Sequence, residues 1–234
     1  MKAFDSLTMR NGLQLATLAA AMLLCPIASA TAVVTPVGIT CTGSWAFDPT
    51  GGGFYGCAGA IDGVVNDAIP GPTGDASYWL GREQALNETF TVDLGANYLI
   101  TSISLYNTHN GVNPDDSNDR GTKDFKVWIS TTAVVPDTVS ASFGTEVLDG
   151  TLAFFAIFNS NPIDNPQQSF DVAPTLGRYV TFRAETYQGA EDITGFPAVG
   201  AGLSEIVINA PEPATLALLG LGLAGLGWGR RKRS

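Results

Sequence analysis

The amino-acid sequence predicts an all-β fold of the sandwich or barrel class. Apolar and polar residues alternate over residues 89–94, 125–129 and 179–184, which is the pattern of strands with one buried face. Turn residues separate many short candidate strands, and no helical pattern occurs between the two terminal segments of the chain. Many short strands with closely spaced turn signals are typical of sandwiches and barrels.

The first candidate strand spans residues 31–40 and is an edge strand, because Pro36 interrupts it. The second candidate strand is the alternating segment 89–94, and turn residues at 95–97 follow it. The strand after this turn places Leu99, Thr101, Ile103 and Leu105 on one side. The pair Asp149-Gly150 predicts a tight hairpin between two later strands. The later candidates are residues 125–129, 141–148, 151–158, 168–172, 178–186 and 203–209.

Several sequence segments resemble the discoidin-like (coagulation factor type C) and related carbohydrate-binding modules of the galactose-binding-like superfamily. The resemblance lies in the order of the segments more than in any single one, and it spans roughly residues 35–210. It implies an eight-stranded jelly-roll sandwich. The segments are AIDG at 60–63 with Trp79, FTVDLG at 90–95, ITSISLYN at 100–107, DRGTKDFKVWIS at 119–130 and GLSEIVI at 202–208.

The N-terminal segment has the parts of a cleavable secretory signal. Lys2 and Arg10 precede an apolar run over 13–27, and Ala28-Ser29-Ala30 follows it. We expect cleavage after Ala30, and the alternative is an uncleaved anchor helix.

The C-terminal segment, residues 211–234, combines Pro211-Glu212-Pro213, an apolar run over 214–229 and four basic residues. Such a run followed by basic residues predicts a membrane-stopping helix, slightly short for a permanent span. The segment closely resembles the PEP-CTERM sorting signal of Gram-negative bacteria. That resemblance implies transient insertion in the inner membrane, cleavage by an exosortase-type protease near the motif, and delivery to the cell surface or extracellular matrix. An ordinary tail anchor is the alternative.

The segment between the two signals, residues 31–210, is predicted to form one domain large enough for a proper core. It holds 20 Asp and Glu against 6 Lys and Arg, a formal charge of −14. Such acidity argues against nucleic acid or an anionic membrane as a partner. It is compatible with divalent cations and neutral glycans, although solvation alone accounts for it too.

Cys41 and Cys57 are the cysteines that remain after the predicted signal cleavage, which removes Cys25. A pair in an exported chain predicts a disulfide. Enzymatic motifs are nearly absent, since the sequence has one histidine and neither a G-x-S-x-G nor an H-E-x-x-H pattern. We therefore expect no enzymatic activity, although a carboxylate pair for glycoside hydrolysis depends on spacing that a sequence does not show.

The family resemblance implies a structural calcium ion beside the first segment. Carried onto this sequence, it points to Asp62 of AIDG and Glu205 of LSEIVI, with Asp67 and Asp75 as further oxygen donors. The loop from Asp62 to Trp79 is longer than is usual in the family. The alternatives are an Asp-Gly turn for Asp62 and a solvated strand residue for Glu205.

Sugar recognition requires planar polar groups for the hydroxyls and an aromatic face for the ring. The resemblance favours His109 and Arg120, together with Asn110 and Asn113, as the polar groups. Trp45, Tyr55 and Tyr78 are the candidate aromatic residues, whereas Trp79 and Trp128 are expected to belong to the core or to a strand face.

The leading hypothesis is therefore an exported, non-catalytic surface or matrix protein that binds carbohydrate. A structural or adhesive protein without a ligand site is the second hypothesis, and an extracellular polysaccharide hydrolase is the third.

Overall fold

The computed structural model describes residues 31–44, 55–65, 77–82, 85–108, 121–153, 166–188 and 200–212. These residues form eight strands and one short 3₁₀ helix, Cys57–Ala60. The strands are β1 Thr31–Val34, β2 Gly38–Cys41, β3 Trp79–Leu80, β4 Glu88–Asn107, β5 Asp124–Ser130, β6 Thr145–Thr151, β7 Gln168–Ala184 and β8 Gly202–Pro211.

All strand pairs are antiparallel and follow the order β1-β8-β4-β7-β5-β6, with β2 beside β4 and β3 beside β8. The two long strands, β4 and β7, each take part in both halves of the fold. The halves that pair Glu88–Asp93 with Tyr179–Ala184 are flanked by β2 and β5, whereas the other half of β4 lies between the other half of β7 and β8. This is the jelly-roll arrangement that the sequence predicts.

Aromatic rings join the two layers in the core. Phe125 of β5 contacts Phe170 in the other half of β7, with ring centroids 5.3 Å apart. Trp79 of β3 meets Phe90 of β4 edge-on at 5.1 Å, and Phe90 stacks on Phe182 at 5.0 Å. Edge-on and offset-stacked pairs are the favoured aromatic geometries. Trp79 is fully buried, as expected for a core residue.

Sequence alternation correctly predicts the inward faces of β5 and of the first half of β4. Phe90, Val92 and Leu94 are buried, and so are Phe125, Val127 and Ile129. The strand predicted over 31–40 is divided into two strands, β1 and β2, on either side of Pro36, and each pairs with a single neighbour, as expected of an edge position.

Two local predictions are wrong. Leu99 does not share the side of Ile103, because register shifts between Asp93 and Tyr98 and between Ile100 and Ser102 turn the chain, and Leu99 is 46% exposed while Ile100 is buried. Residues 95–97 lie within the continuous bounds of β4, with Gly95 at a φ of 78°.

The hairpin predicted at Asp149-Gly150 is also absent. Both residues lie inside β6, where Asp149 pairs with Lys126 and Gly150 with Phe125. The partner strand β5 therefore continues past them, and this long-range pairing overrides the local turn preference.

The outer face of β5 and β7 is covered by the segment that links β5 to β6. Arg183 exposes 6% of its surface and lies between the rings of Trp128 and Phe143, at 5.4 and 4.8 Å from their centroids. Its guanidinium donates to the carbonyl oxygens of Ser140, at 2.8 Å, and Asp137, at 3.2 Å. Trp128 is thus a covered strand-face residue, as predicted.

The two terminal helices that the sequence predicts, in residues 1–30 and 214–229, lie outside the described residues. Within the described ranges, no helix has the length and apolar character needed to cross a membrane.

Candidate functional site at the loop end

One end of the sandwich, which we call the loop end, gathers the termini of five strands. There β4 ends at Asn107, β6 at Thr151 and β7 at Ala184, while β5 begins at Asp124 and β8 at Gly202. The connections over 108–123, 152–167 and 185–201 all leave from this end. Loops held by a rigid scaffold are the usual carriers of binding sites.

The base of the connection over 109–120 is fixed by a buried polar clamp. The Asn107 amide donates to the carbonyl oxygen of Thr122 at 2.8 Å and accepts from the Thr122 backbone N–H at 2.9 Å. The Thr122 hydroxyl in turn donates to the Gly202 carbonyl at 2.8 Å. Because Asn107 and Thr122 are 6% and 0% exposed, these bonds are shielded from competing water.

Gly121 allows the two stems of the loop over 109–120, which are Asn107–Thr108 and Gly121–Thr122, to lie close together. A Cβ atom at this position would lie 2.6 Å from the Thr108 carbonyl oxygen and 3.1 Å from the Asn107 amide group. A side chain there would push the stems apart, and glycine is therefore required by the packing.

Gln188 ties the neighbouring connections to the same base. Its backbone N–H donates to the Gly121 carbonyl at 2.8 Å, and its side-chain amide donates to the Leu152 carbonyl at 2.7 Å. Thr122 and Tyr187 also form an isolated antiparallel bridge. Hydrogen bonds thus join the bases of the three connections.

The Glu205 carboxylate lies beside the segment that carries Asp62. Glu205, on β8, accepts from the Gly63 backbone N–H at 3.0 Å, and Asp62 accepts from Val64 N–H at 2.8 Å. Burial raises the pKa of Glu205 to about 8, and the nearby Asp62 charge also raises it, while the backbone bond from Gly63 opposes the shift. Burial likewise raises the pKa of Asp62.

This carboxylate pair provides the hard oxygen donors that calcium prefers. Glu205 is 5% exposed, and ionising its buried carboxylate beside the partly exposed Asp62 carboxylate is costly. A bound divalent cation would relieve that repulsion. Among the described residues no group of three or more metal-binding side chains occurs, and the two further predicted donors, Asp67 and Asp75, lie outside them.

The predicted disulfide is confirmed. Cys41 at the end of β2 is bonded to Cys57 at the start of the 3₁₀ helix, with Cα atoms 6.2 Å apart. The helix packs on β2, β3 and β8. The disulfide therefore fixes the segment that carries Asp62 against the strand that carries Glu205.

Of the predicted aromatic residues, Tyr55 and Tyr78 form a pair with ring centroids 5.2 Å apart. Tyr78 is 4% exposed, whereas Tyr55 is partly exposed. Their contact with a ligand stays a prediction. Trp45, His109, Asn110, Asn113 and Arg120 lie outside the described residues, so the structure places only the stems of their loops.

Sequence reasoning missed an ion pair near this end, in which a buried carboxylate meets a half-exposed arginine. Arg82 donates to Glu88 through Nε, at 2.8 Å, and through its terminal nitrogen, at 2.7 Å, and Thr42 donates to the other Glu88 oxygen at 2.5 Å. The Glu88 side chain is fully buried. No sequence motif marks Arg82 or Glu88. The available signal was that Glu88 lies two residues before Phe90, in register with the buried face of β4.

Two family models match the chain. Residues 59–182 match the NedA-like, galactose-binding domain, and residues 209–233 match the PEP-CTERM protein-sorting motif. The chain belongs to the NedA-like galactose-binding domain family. The match includes Asp62 and the whole connection over 109–120. A comparison with curated proteins found no match to the sequence.

Solved structures similar to this galactose-binding domain include the family 32 carbohydrate-binding module from C. perfringens NanJ in complex with galactose. It is 16% identical to this chain, and the match covers 77% of this chain and 99% of the module, with a TM-score of 0.49. CpGH89CBM32-5 from Clostridium perfringens, in complex with GalNAc-beta-1,3-galactose, is 15% identical, with coverages of 76% and 99% and a TM-score of 0.46. Chitosan-binding module 1 of a Paenibacillus sp. IK-5 chitosanase/glucanase is 14% identical, with coverages of 75% and 95% and a TM-score of 0.45.

Proposed function

We propose that this chain is an exported, non-catalytic protein that binds extracellular carbohydrate at the loop end. The observation that carries the proposal is the match of residues 59–182 to a galactose-binding domain family. The hydrogen-bonded base of the loop over 109–120 supports it, because a fixed base lowers the entropy lost when loop side chains meet a ligand.

In this proposal His109, Asn110, Asn113 and Arg120 supply hydrogen bonds to sugar hydroxyls, and Tyr55 supplies an aromatic face. Thermal unfolding of the full-length chain in detergent, with a panel of neutral and acidic polysaccharides, tests it. A ligand that binds only the folded state raises the midpoint by mass action. We expect one class of glycan to raise the midpoint, and galactose-containing glycans are the first to test.

The variants His109→Ala and Arg120→Ala are expected to abolish this glycan-induced shift without changing the ligand-free midpoint. Lys126→Ala is the matched control, since Lys126 lies within β5 and pairs with Asp149 at 3.1 Å. A panel in which no glycan raises the midpoint would contradict carbohydrate binding and favour a structural or adhesive role. Release of reducing ends from a bound polysaccharide would contradict the non-catalytic assignment.

A structural calcium ion held by Asp62 and Glu205 is part of the proposal. Its support is the donor chemistry and the raised pKa of both carboxyls. When bound, the ion would hold the segment 60–64 on β8 and thereby brace the loop end. Calcium is expected to raise the unfolding midpoint of the parent chain, and a calcium response that persists in Asp62→Ala would contradict this assignment.

The match of residues 209–233 to the sorting motif supports export followed by processing through an exosortase-type protease. Deleting residues 211–234 is expected to change where the protein accumulates. Unchanged localisation and processing would contradict this part of the proposal.

A further inference from the structure

The end of the sandwich opposite the loop end, which we call the apolar end, carries a group of exposed hydrophobic side chains. There β4 and β7 cross between the two layers, and β1 turns into β2. The group consists of Val33, Val37, Tyr98, Leu99 and Leu176, which are 64%, 68%, 36%, 46% and 57% exposed.

Strand register shows that members of this group are neighbours. Leu99 pairs directly with Leu176, and Tyr98 pairs with Gly177. Val37 lies against Gly95, where a Cβ atom would be 3.1 Å from a Val37 methyl group. The charged groups beside them, Asp93 and Arg178, neutralise each other through bonds of 2.6 and 2.8 Å.

The same end is where the chain leaves β8 toward its C-terminal apolar run. Pro211 pairs with Thr31, and Asn209 pairs with both Val33 and Ser102, which places the end of β8 level with the crossing of β4. The apolar run begins at residue 214. Three extended residues span at most about 10 Å, so a membrane-inserted run holds the apolar end within that distance of the lipid.

We propose that the apolar end docks on the lipid surface while the C-terminal segment is inserted in the membrane. The inference rests on the proposed sorting function and adds an orientation to it. Exposed aliphatic side chains and a tyrosine are suited to the interface between lipid headgroups and acyl chains. Eight strand residues separate Leu99 from Asn107, roughly 25 Å, so docking turns the loop end and its proposed glycan site away from the membrane.

Spin labelling of the full-length chain tests this orientation. Leu176→Cys is the probe, and Leu86→Cys is the matched control, because Leu86 is 53% exposed and precedes β4 at the loop end. Both are made in a Cys25→Ser background, where Cys41 and Cys57 remain joined. The proteins are reconstituted in vesicles of phosphatidylethanolamine and phosphatidylcholine, whose uncharged surface does not repel the acidic domain.

We expect the label at position 176 to be relaxed by oxygen, which concentrates in lipid, and to be protected from a water-soluble nickel chelate. The label at position 86 should show the opposite behaviour, and in detergent-free buffer without vesicles this difference should disappear. Leu99→Cys is the second probe, and its label should behave as the one at 176.

Equal nickel accessibility of positions 176 and 86 in vesicles that carry the protein would overturn the docking and leave the sorting proposal intact. Label–label coupling at position 176 would show that a second copy covers the patch, and this also overturns lipid docking. A chain that fails to float with vesicles would overturn both the docking and the membrane insertion on which it rests.

Discussion

The raised pKa of Glu205 is the property that most clearly distinguishes the proposed cation site from an ordinary strand position. Because burial raises its pKa from 4.5 to about 8, the folded state holds a proton between these pH values that the unfolded state has released. The free energy of unfolding therefore falls as the pH rises through this window. Calcium binds the ionised form, so it should counter the fall.

Thermal midpoints measured without metal between pH 5 and pH 8 test this prediction. We expect the parent midpoint to fall across the range and the midpoint of Glu205→Gln to fall much less. Glu146→Gln, a change at a partly exposed strand residue, is the control and should retain the fall. Equal pH dependence in the parent and in Glu205→Gln would contradict the raised pKa.

Arg183 and Arg178 provide a second comparison at the scale of single residues. Arg183 is buried between two rings and donates to two carbonyl oxygens, and its removal leaves these acceptors and a cavity behind. We expect Arg183→Leu to lower the free energy of unfolding by about 2–4 kcal/mol. Arg178→Leu breaks a half-exposed ion pair with Asp93 and should lower it much less, because water screens the pair. Urea unfolding measures the free energy of unfolding of both variants. Similar losses in the two would contradict the covering of the outer face of β5 and β7.

The stems of the loop over 109–120 are the element on which the proposed site depends. Asn107→Ala removes both clamp bonds to Thr122, while the Thr122 N–H keeps its bond to Gly202. We expect a loss of about 1–2 kcal/mol in unfolding free energy. We also expect glycan affinity to fall about tenfold, equivalent to about 1.4 kcal/mol.

Titration calorimetry with the glycan that stabilises the parent chain checks this prediction. Asn209→Ala, on β8 near the apolar end, is the control and should leave the affinity unchanged. If Asn107→Ala binds as tightly as the parent, the clamp does not organise the site.

Sequence analysis correctly predicted the elements whose own residues carry a pattern, such as apolar-polar alternation. Phe125, Val127 and Ile129 alternate and are buried, because one face of β5 contacts the core along its whole length. The prediction failed for Leu99, where a register shift depends on two partner strands, and for Asp149-Gly150, where pairing with β5 overrides a turn dipeptide.

The candidate site was predictable in part. Glu205 accepts a bond from Gly63, the neighbour of Asp62, across 142 positions of the chain. The order of the family segments is the signal that linked the two regions, because nothing local does. The clamp of Asn107 and Thr122 left no pattern in the sequence, since a buried polar pair has no periodicity. The ligand-binding roles of His109, Asn110, Asn113 and Arg120 remain predictions.

On the scale of the whole molecule, the two ends of the sandwich differ in character. The loop end combines the hydrogen-bonded bases of three connections, the carboxylates of Asp62 and Glu205 and the termini of five strands. The apolar end combines exposed aliphatic residues with the exit toward the sorting segment. The proposed ligand binding and the proposed membrane contact are therefore at opposite ends, so that both can take place at once.

Backbone NMR of the isotope-labelled chain titrated with galactose tests the proposed binding of carbohydrate at the loop end. We expect the amide signals of Asn107, Thr108, Gly121 and Thr122 to shift, with those of Leu99 and Leu176 unchanged as the internal control. Shifts confined to the apolar end, or no shifts with galactose or with any glycan of the panel, would contradict the account.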